Sequence, residues 1–231
     1  MGKLKELLES TDYLILDGAL GTELENRGHD VSGKLWSAKY LLENPQIIQE
    51  LHEDYLRSGA DIVTTSSYQA TVQGLEDYGL SEKEALDTIA LTVELAKNAR
   101  QNFWQSLSDD EKKKRVYPLI AGDVGPYAAY LADGSEYTGD YQLSKESFKD
   151  FHRSRIQTLL AAGSDFLAIE TIPNMTEATA LVELLADEFP DTEAYMSFTA
   201  QDSQSISDGT LMTEVAKLCD SSKQILAFGI N

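Results

Sequence analysis

The chain has 231 residues, 42% of them hydrophobic, and a formal net charge of -20 from 39 acidic and 19 basic side chains. That length and apolar content suffice for a single cored domain over residues 1–231, and the acidic balance leaves no basic face to neutralise phosphates, which argues against nucleic acid or an anionic membrane as partner. No stretch approaches the roughly 20 apolar residues of a spanning helix, the N-terminal MGKLKELLES is a charged amphipathic helix rather than a signal peptide, and Cys219 is the only cysteine, so the expectation is a cytoplasmic protein without an internal disulfide.

Tyr13 to Leu16 is an apolar, β-compatible run that stops at Asp17 and passes into a turn containing Gly18 and Gly21. The two glycines suggest a tight turn or a close approach of backbone to a ligand. Asp17 is then a carboxylate at the rim of a sheet, either capping its own turn or facing a site. Glu23 to Gly28 reads as a short helical turn, and an irregular segment leads to Trp36. Asn44-Pro45 opens a helix with Pro at its first position, carried by Ile47, Ile48, Leu51, Tyr55 and Leu56 and ended at Ser58-Gly59. Ala60 to Ser67 is strand-like and empties into Tyr68. Ser81 with Glu84 is a capping box that opens a long amphipathic helix towards Phe103. Ser106 to Arg115 reads as a charged, solvated connection.

Val116 to Ala121 is the next expected strand, emptying into Gly122-Asp123-Val124-Gly125. A long loop of the kind that forms lids or binding segments follows to Leu143. A helix from Ser144 to Ala162 closes at Gly163. Asp165 to Glu170 is a strand followed by a helix through Leu181 and Leu185, and Ala194 to Thr199 and Gln224 to Gly229 are the last two strands, with a helix through Val215 and Leu218 between them. Ser58-Gly59-Ala60-Asp61 and Ala162-Gly163-Ser164-Asp165 repeat one device, a glycine-ended helix before an acidic residue that opens a strand. The alternation implies right-handed βαβ units and a parallel sheet.

In a parallel barrel the chemistry lies at the carboxyl ends of the strands. Asp61 and Asp165 begin strands and read as structural, whereas Asp17, Asp123 and Glu170 end theirs and should converge. Asp17 with Glu170 would form a cage for a substrate ammonium, or alternatively an acid/base pair as in glycosidases. His29, His52 and His152 lack metal-ligand spacing, and the last two read as capping or pairing on helix surfaces. Cys219 reads as a small buried hydrophobe. Trp36, Tyr68 and Tyr127, each in a loop after a strand end, read as pocket walls.

Six motifs in order carry a family resemblance: DGALGTELE at Asp17 to Glu25, LWSAKYLLENPQII at Leu35 to Ile48, GADIVTTSSYQAT at Gly59 to Thr71, GDVGPYAAYLADGSEYTGDY at Gly122 to Tyr141, FLAIETIPN at Phe166 to Asn174, and the terminal FGIN. Together they resemble the zinc-dependent homocysteine S-methyltransferase family over essentially the whole chain. The resemblance implies an α/β fold, the (β/α)8 TIM barrel, with about six of the eight units present. It also implies homocysteine activated as a thiolate on a zinc held by three cysteines, and a methyl group taken from S-methylmethionine or S-adenosylmethionine. Asp17 and Glu170 match the acids that hold the homocysteine amino group. Backbone amides from Gly18 and Ala19 to Gly21 would meet its carboxylate, Trp36 and Tyr68 would flank the donor sulfonium, and Asn231 belongs to the substrate-binding set.

In the family the first zinc cysteine directly follows the Gly-x-Asn that corresponds to Gly229-Ile230-Asn231. The metal ligands are therefore expected beyond Asn231, with no metal ligand and no catalytic group beyond substrate positioning inside the chain. On this reading the 231 residues are a C-terminally incomplete barrel that does not bind zinc or transfer methyl, although the intact protein would. Two alternatives stand beside it: a non-catalytic amino-acid-binding fragment, and a metal-independent barrel hydrolase using Asp17 and Glu170.

Overall fold

A computed structural model describes residues 2–33 and 35–231. In chain order its helices begin with α1 (Lys3–Ser10), α2 (Leu20–Asn26), α3 (Tyr40–Glu43) and α4 (Pro45–Ser58), and then, after β1 (Ile62–Thr64), α5 (Val72–Asp77), α6 (Glu82–Ser106) and α7 (Asp109–Lys112). Next come β2 (Leu119–Val124), α8 (Tyr127–Leu131), α9 (Lys145–Ala162), β3 (Phe166–Ile172), α10 (Met175–Glu188), β4 (Ala194–Phe198), α11 (Met212–Ser221) and β5 (Ile225–Ile230). The five strands are parallel and neighbour one another in sequence order. Right-handed crossovers between such strands put the crossover helices on the same face. On that face α4 packs on α6, α6 on α9, α9 on α10 and α10 on α11, around Val124, Leu167, Ile169, Met196 and Phe198 from the sheet.

The opposite face is lined by rungs of side chains from neighbouring strands. Ile62 pairs with Leu119, then Thr64 with Ala121 and Phe166, then Asp123 with Ala168 and Tyr195. The rungs therefore pass from apolar to polar towards the carboxyl ends, because alternate residues of a strand share one face. Leu4 of α1 packs against the apolar end of this face, where the Leu4 amide donates to Glu193 at 2.9 Å and Lys3 and Arg100 both pair with Asp165. Asp165 and Asp61 are structural as expected; Asp61 accepts the Ile15 amide at 3.0 Å.

Four expectations change. The strand expected at Tyr13 to Leu16 is reduced to a single parallel bridge, Leu16 to Ile62, and Tyr13, Ile15 and Leu16 are exposed. Among the described residues it has a strand on one side only, so neither a second ladder nor a second layer buries it. The strand expected from Val116 begins later and extends through Val124, which draws Asp123 into the sheet. The charged connection contains α7, opened by its own capping box of Ser108 and Glu111. The long loop contains α8 and a 3-10 turn at Ser135–Tyr137.

The histidines differ most. His52 and His152 are interior residues, 1% and 0% exposed. His152 shares a proton position with Glu177 at 2.7 Å, and Glu177 also accepts the Tyr127 amide at 2.7 Å and the Tyr141 hydroxyl. The other ring nitrogen of His152 meets Arg155, whose guanidinium donates to the carbonyls of Tyr68 and Gly125. A buried polar chain thus ties α9 and α10 to the loops after β1 and β2. His spacing does not signal it, because Glu177, the acid that completes it, lies 25 residues away on another helix.

His52 on α4 has no partner for either ring nitrogen among the described residues. Burial pushes its imidazole down to about 4 from 6.5, so the folded protein keeps it neutral while the unfolded chain binds the proton. Stability from this residue is complete above pH 6.5 and is lost as pH falls towards 4, by about 3 kcal/mol at one pKa unit per 1.4 kcal/mol. His52→Leu should flatten this part of the stability curve, read by denaturant unfolding between pH 7 and 4; an unchanged slope would show that the residue does not carry it.

Candidate functional site

The turn after Leu16, the ends of β1 to β3 and the segment from Trp36 enclose a cavity of about 320 Å³ at the polar end of the inward face. Of the residues singled out from the sequence, Asp17, Gly18, Ala19, Trp36, Tyr68 and Glu170 all line it. Asn231 does not. It stands one shell behind, accepting the Ser197 hydroxyl at 2.9 Å and donating to Thr171 Oγ1 at 3.1 Å, and Thr171 lines the cavity. Tyr127 is also elsewhere, in an aromatic cluster with Tyr130, Tyr141, Phe148 and Phe151.

Asp17 reaches across to β1 instead of serving its own turn alone. Its Oδ2 accepts the Thr64 amide and its Oδ1 the Thr64 hydroxyl, each at 2.9 Å. Burial pushes its carboxyl up to about 7; the Thr64 hydrogen bonds oppose the shift and the negative charge of Glu170 adds to it. Glu170 accepts the Tyr195 hydroxyl, and burial raises its carboxyl while that bond lowers it. Asp123 also lines the cavity. It is 5% exposed, its Oδ1 has no partner among the described residues, and burial, Glu170 and Asp17 hold its carboxyl well above the ordinary range against the opposing pull of Arg155. Three acids therefore face one space and compete for ionisation.

The glycines act through space and not through conformation. Neither Gly18 nor Gly21 has a positive φ. A Cβ at Gly18 would meet the Tyr55 ring at 2.7 Å, and one at Gly21 would lie 2.1 Å from the Trp36 indole. Gly21 sits in the first turn of α2, and its bare face is the bed on which the indole lies. Trp36 itself holds φ 46 at the start of a 3-10 turn, a conformation that costs roughly 1–3 kcal/mol and that the surrounding packing must fix.

Sequence reasoning passed over Thr64 and Tyr195, which hold the two acids. Period-two alternation from Asp123 and Glu170 would have pointed to them, since both sit on inward rungs. It passed over Ser66 and Tyr137 as well, and nothing in their local pattern signals a pocket.

The chain belongs to the homocysteine S-methyltransferase family, which it matches over residues 14–231. It is 47% identical to a homocysteine S-methyltransferase of Bacillus subtilis over 231 residues, covering 100% of this chain and 72% of the relative. It is 42% identical to the selenocysteine Se-methyltransferase of Brassica oleracea var. italica over 99% of this chain and 68% of the relative. The crystal structure of the Escherichia coli homocysteine methyltransferase in its metallated form superposes with a TM-score of 0.91 at 49% identity, over 99% of this chain and 77% of that one.

Gly21→Ala should unseat Trp36 and lower stability by about 1–3 kcal/mol, the usual range for overpacking. Tryptophan emission in a Trp104→Phe background should shift with it; an unshifted spectrum at unchanged stability would show that the indole does not rest on Gly21.

Proposed function

We propose that this cavity binds homocysteine and a sulfonium methyl donor, S-methylmethionine or S-adenosylmethionine, for transfer of the methyl group to the homocysteine sulfur. The carrying observation is that Asp17 and Glu170, each held by a neighbour's hydroxyl, share one cavity with Trp36 and Tyr68. The two acids would take the amino group through charge-assisted hydrogen bonds. The carboxylate would meet the amides of Gly18 to Gly21, where α2 starts at Ala19 without a side-chain cap. Trp36 and Tyr68 offer aromatic faces to a sulfonium.

The reaction is an in-line displacement in which the acceptor sulfur forms a bond to the methyl carbon as the donor carbon–sulfur bond breaks. The bonding pair stays on the donor sulfur, which leaves as a neutral thioether, and the thiol proton is released. With S-methylmethionine as donor, both products are methionine. Holding the two sulfurs and the methyl in line is the contribution expected of the cavity walls.

The family resemblance implies a zinc for this chemistry. Among the described residues no group of three His, Cys, Asp or Glu could hold a metal. Cys219 is buried in the helix layer, where burial pushes its thiol up to about 11. The donors present do not fit a zinc, and no step here runs through one. We therefore assign substrate recognition and positioning to the described residues. We read the sheet as an arc of a (β/α)8 barrel within a single domain. Its strand order supports this, as do the apolar residues left exposed at both edges, Ile15 and Leu16 at one and Phe228 and Ile230 at the other. Among the described residues no helix is long and apolar enough to cross a membrane, and a cytoplasmic setting with small-molecule partners is the proposed context.

Calorimetric titration with homocysteine tests this. Asp17→Asn and Glu170→Gln should each weaken binding by about 10- to 100-fold, the equivalent of one charge-assisted hydrogen bond. Because the Asp17 carboxyl titrates near 7, a cation must displace its proton below that pH. Affinity should then fall by about tenfold per pH unit under 7 and level off above it. Unchanged affinity in both variants would remove the ammonium site.

A further inference from the structure

Asp17 and Glu170 are provided for: Thr64 occupies both oxygens of the first and Tyr195 one oxygen of the second. Asp123 is not. It lies deeper, 5% exposed, on the rung shared with Ala168 and Tyr195, and its Oδ1 finds no donor among the described residues. Its main chain, by contrast, is firmly placed, with the amide donating to Thr65 Oγ1 at 2.9 Å and the carbonyl accepting from Ser67 Oγ at 2.8 Å. Between those two anchors Ser66, itself 5% exposed, also lines the cavity, and its hydroxyl has no partner among the described residues. The cavity wall thus holds a fixed acid whose Oδ1 has no hydrogen-bond partner among the described residues, and Tyr68 lines the same space.

Ammonium and sulfonium groups make different demands on such a wall. An ammonium has N–H bonds and is recognised by directional acceptors, which Asp17 and Glu170 present already oriented. A sulfonium has no hydrogen on its charged atom, so it gains nothing from oriented acceptors. It is recognised by charge in a low-dielectric setting and by polarizable faces. A buried acid with a free oxygen near an aromatic ring meets that second demand.

We propose that Asp123 is the specificity-determining counter-charge for the sulfonium of the methyl donor, favouring the charged donor over the neutral thioether that remains after transfer. The inference rests on the proposed methyl-transfer site and adds to it the residue that discriminates donor from product. Among the described residues, the buried cation that opposes the ionisation penalty of Asp123 is Arg155. A sulfonium brings a second cation to the acid's open side. When the methyl leaves, the sulfur becomes neutral and that attraction ends, which favours exchange of product for donor.

The test is calorimetric titration of the full 231-residue chain with S-methylmethionine, methionine and homocysteine in parallel. The unaltered chain should bind S-methylmethionine more tightly than methionine by about tenfold or more, the equivalent of one well-placed ionic contact. Asp123→Asn should bring that preference below about threefold while homocysteine binding persists. Asp123→Ser, smaller and equally neutral, should do the same and serves if the Asn variant does not fold. A preference that survives in a folded neutral variant overturns the assignment. So does a parallel loss of homocysteine and S-methylmethionine, which would make Asp123 part of the ammonium site. Homocysteine binding without any preference in the unaltered chain overturns this inference alone, whereas failure to bind homocysteine at all overturns the underlying reading of the cavity as well.

Discussion

In-register pairing of parallel strands is the constraint from which the site follows. Once Ala121 is opposite Thr64 and Phe166, and Ala168 is opposite Asp123 and Tyr195, every second side chain of β1 to β4 must share the inward face. A register slip of one residue on β2 would send Asp123 into the helix layer and Val124 into the cavity. The same pairing separates two kinds of burial. Leu119, Ala121, Phe166 and Ala168 exclude water at the end covered by α1, and the acids gather where the strands end. Apolar packing below therefore holds the charged groups above at fixed spacing without consuming their hydrogen-bonding capacity.

The loops that close the cavity depend on a second, polar interior. Arg155, His152 and Glu177 form a chain wholly inside the protein, and it reaches outward to the carbonyls of Tyr68 and Gly125, the amide of Tyr127 and the hydroxyl of Tyr141. Loops ordinarily carry their polar groups to water. Here an interior guanidinium and carboxylate satisfy them, which fixes the path of Tyr68 into the cavity and leaves Gly125 so close that a Cβ there would lie 2.6 Å from the Tyr68 carbonyl. Burying such a network is costly unless its geometry is complete, and its members span the loops after β1 and β2 and the helices α9 and α10. The site is thus held by long-range polar contacts on one side and by strand pairing on the other.

This division explains what could be read from the residues alone. Helices were legible because their signals are local: Pro45 at a first turn, the Ser81 and Glu84 box, and Gly59 and Gly163 as terminators all lie where the structure has them. The convergence of Asp17, Asp123 and Glu170 was legible from strand polarity, because it needs only the rule that a parallel sheet collects its functional groups at one end. The interior placement of His52 and His152 was not, since a histidine on a helix gives no hint of a partner such as Glu177 on the next helix. Gly18 and Gly21 suggest a tight turn or a close approach to a ligand, and in the structure they give clearance to Tyr55 and Trp36, a property that belongs to those rings as much as to the glycines. The Tyr13 to Leu16 run has strand composition, yet a ladder needs neighbours on both sides to bury it.

The overall charge of -20 and the local charge of the cavity act at different ranges. At physiological ionic strength surface charges more than about 8 Å away are screened, so the acidic surface can raise the frequency with which cations arrive but cannot select among them. Selection needs charge that water and salt do not reach. Three ionised carboxylates in a cavity of about 320 Å³ would repel one another strongly, and burial raises all three carboxyls above their ordinary values. A raised carboxyl is drawn towards ionisation by an approaching cation. Ligand charge and site charge then appear together, and the penalty for desolvating a bare carboxylate arises only when a cation is there to offset it.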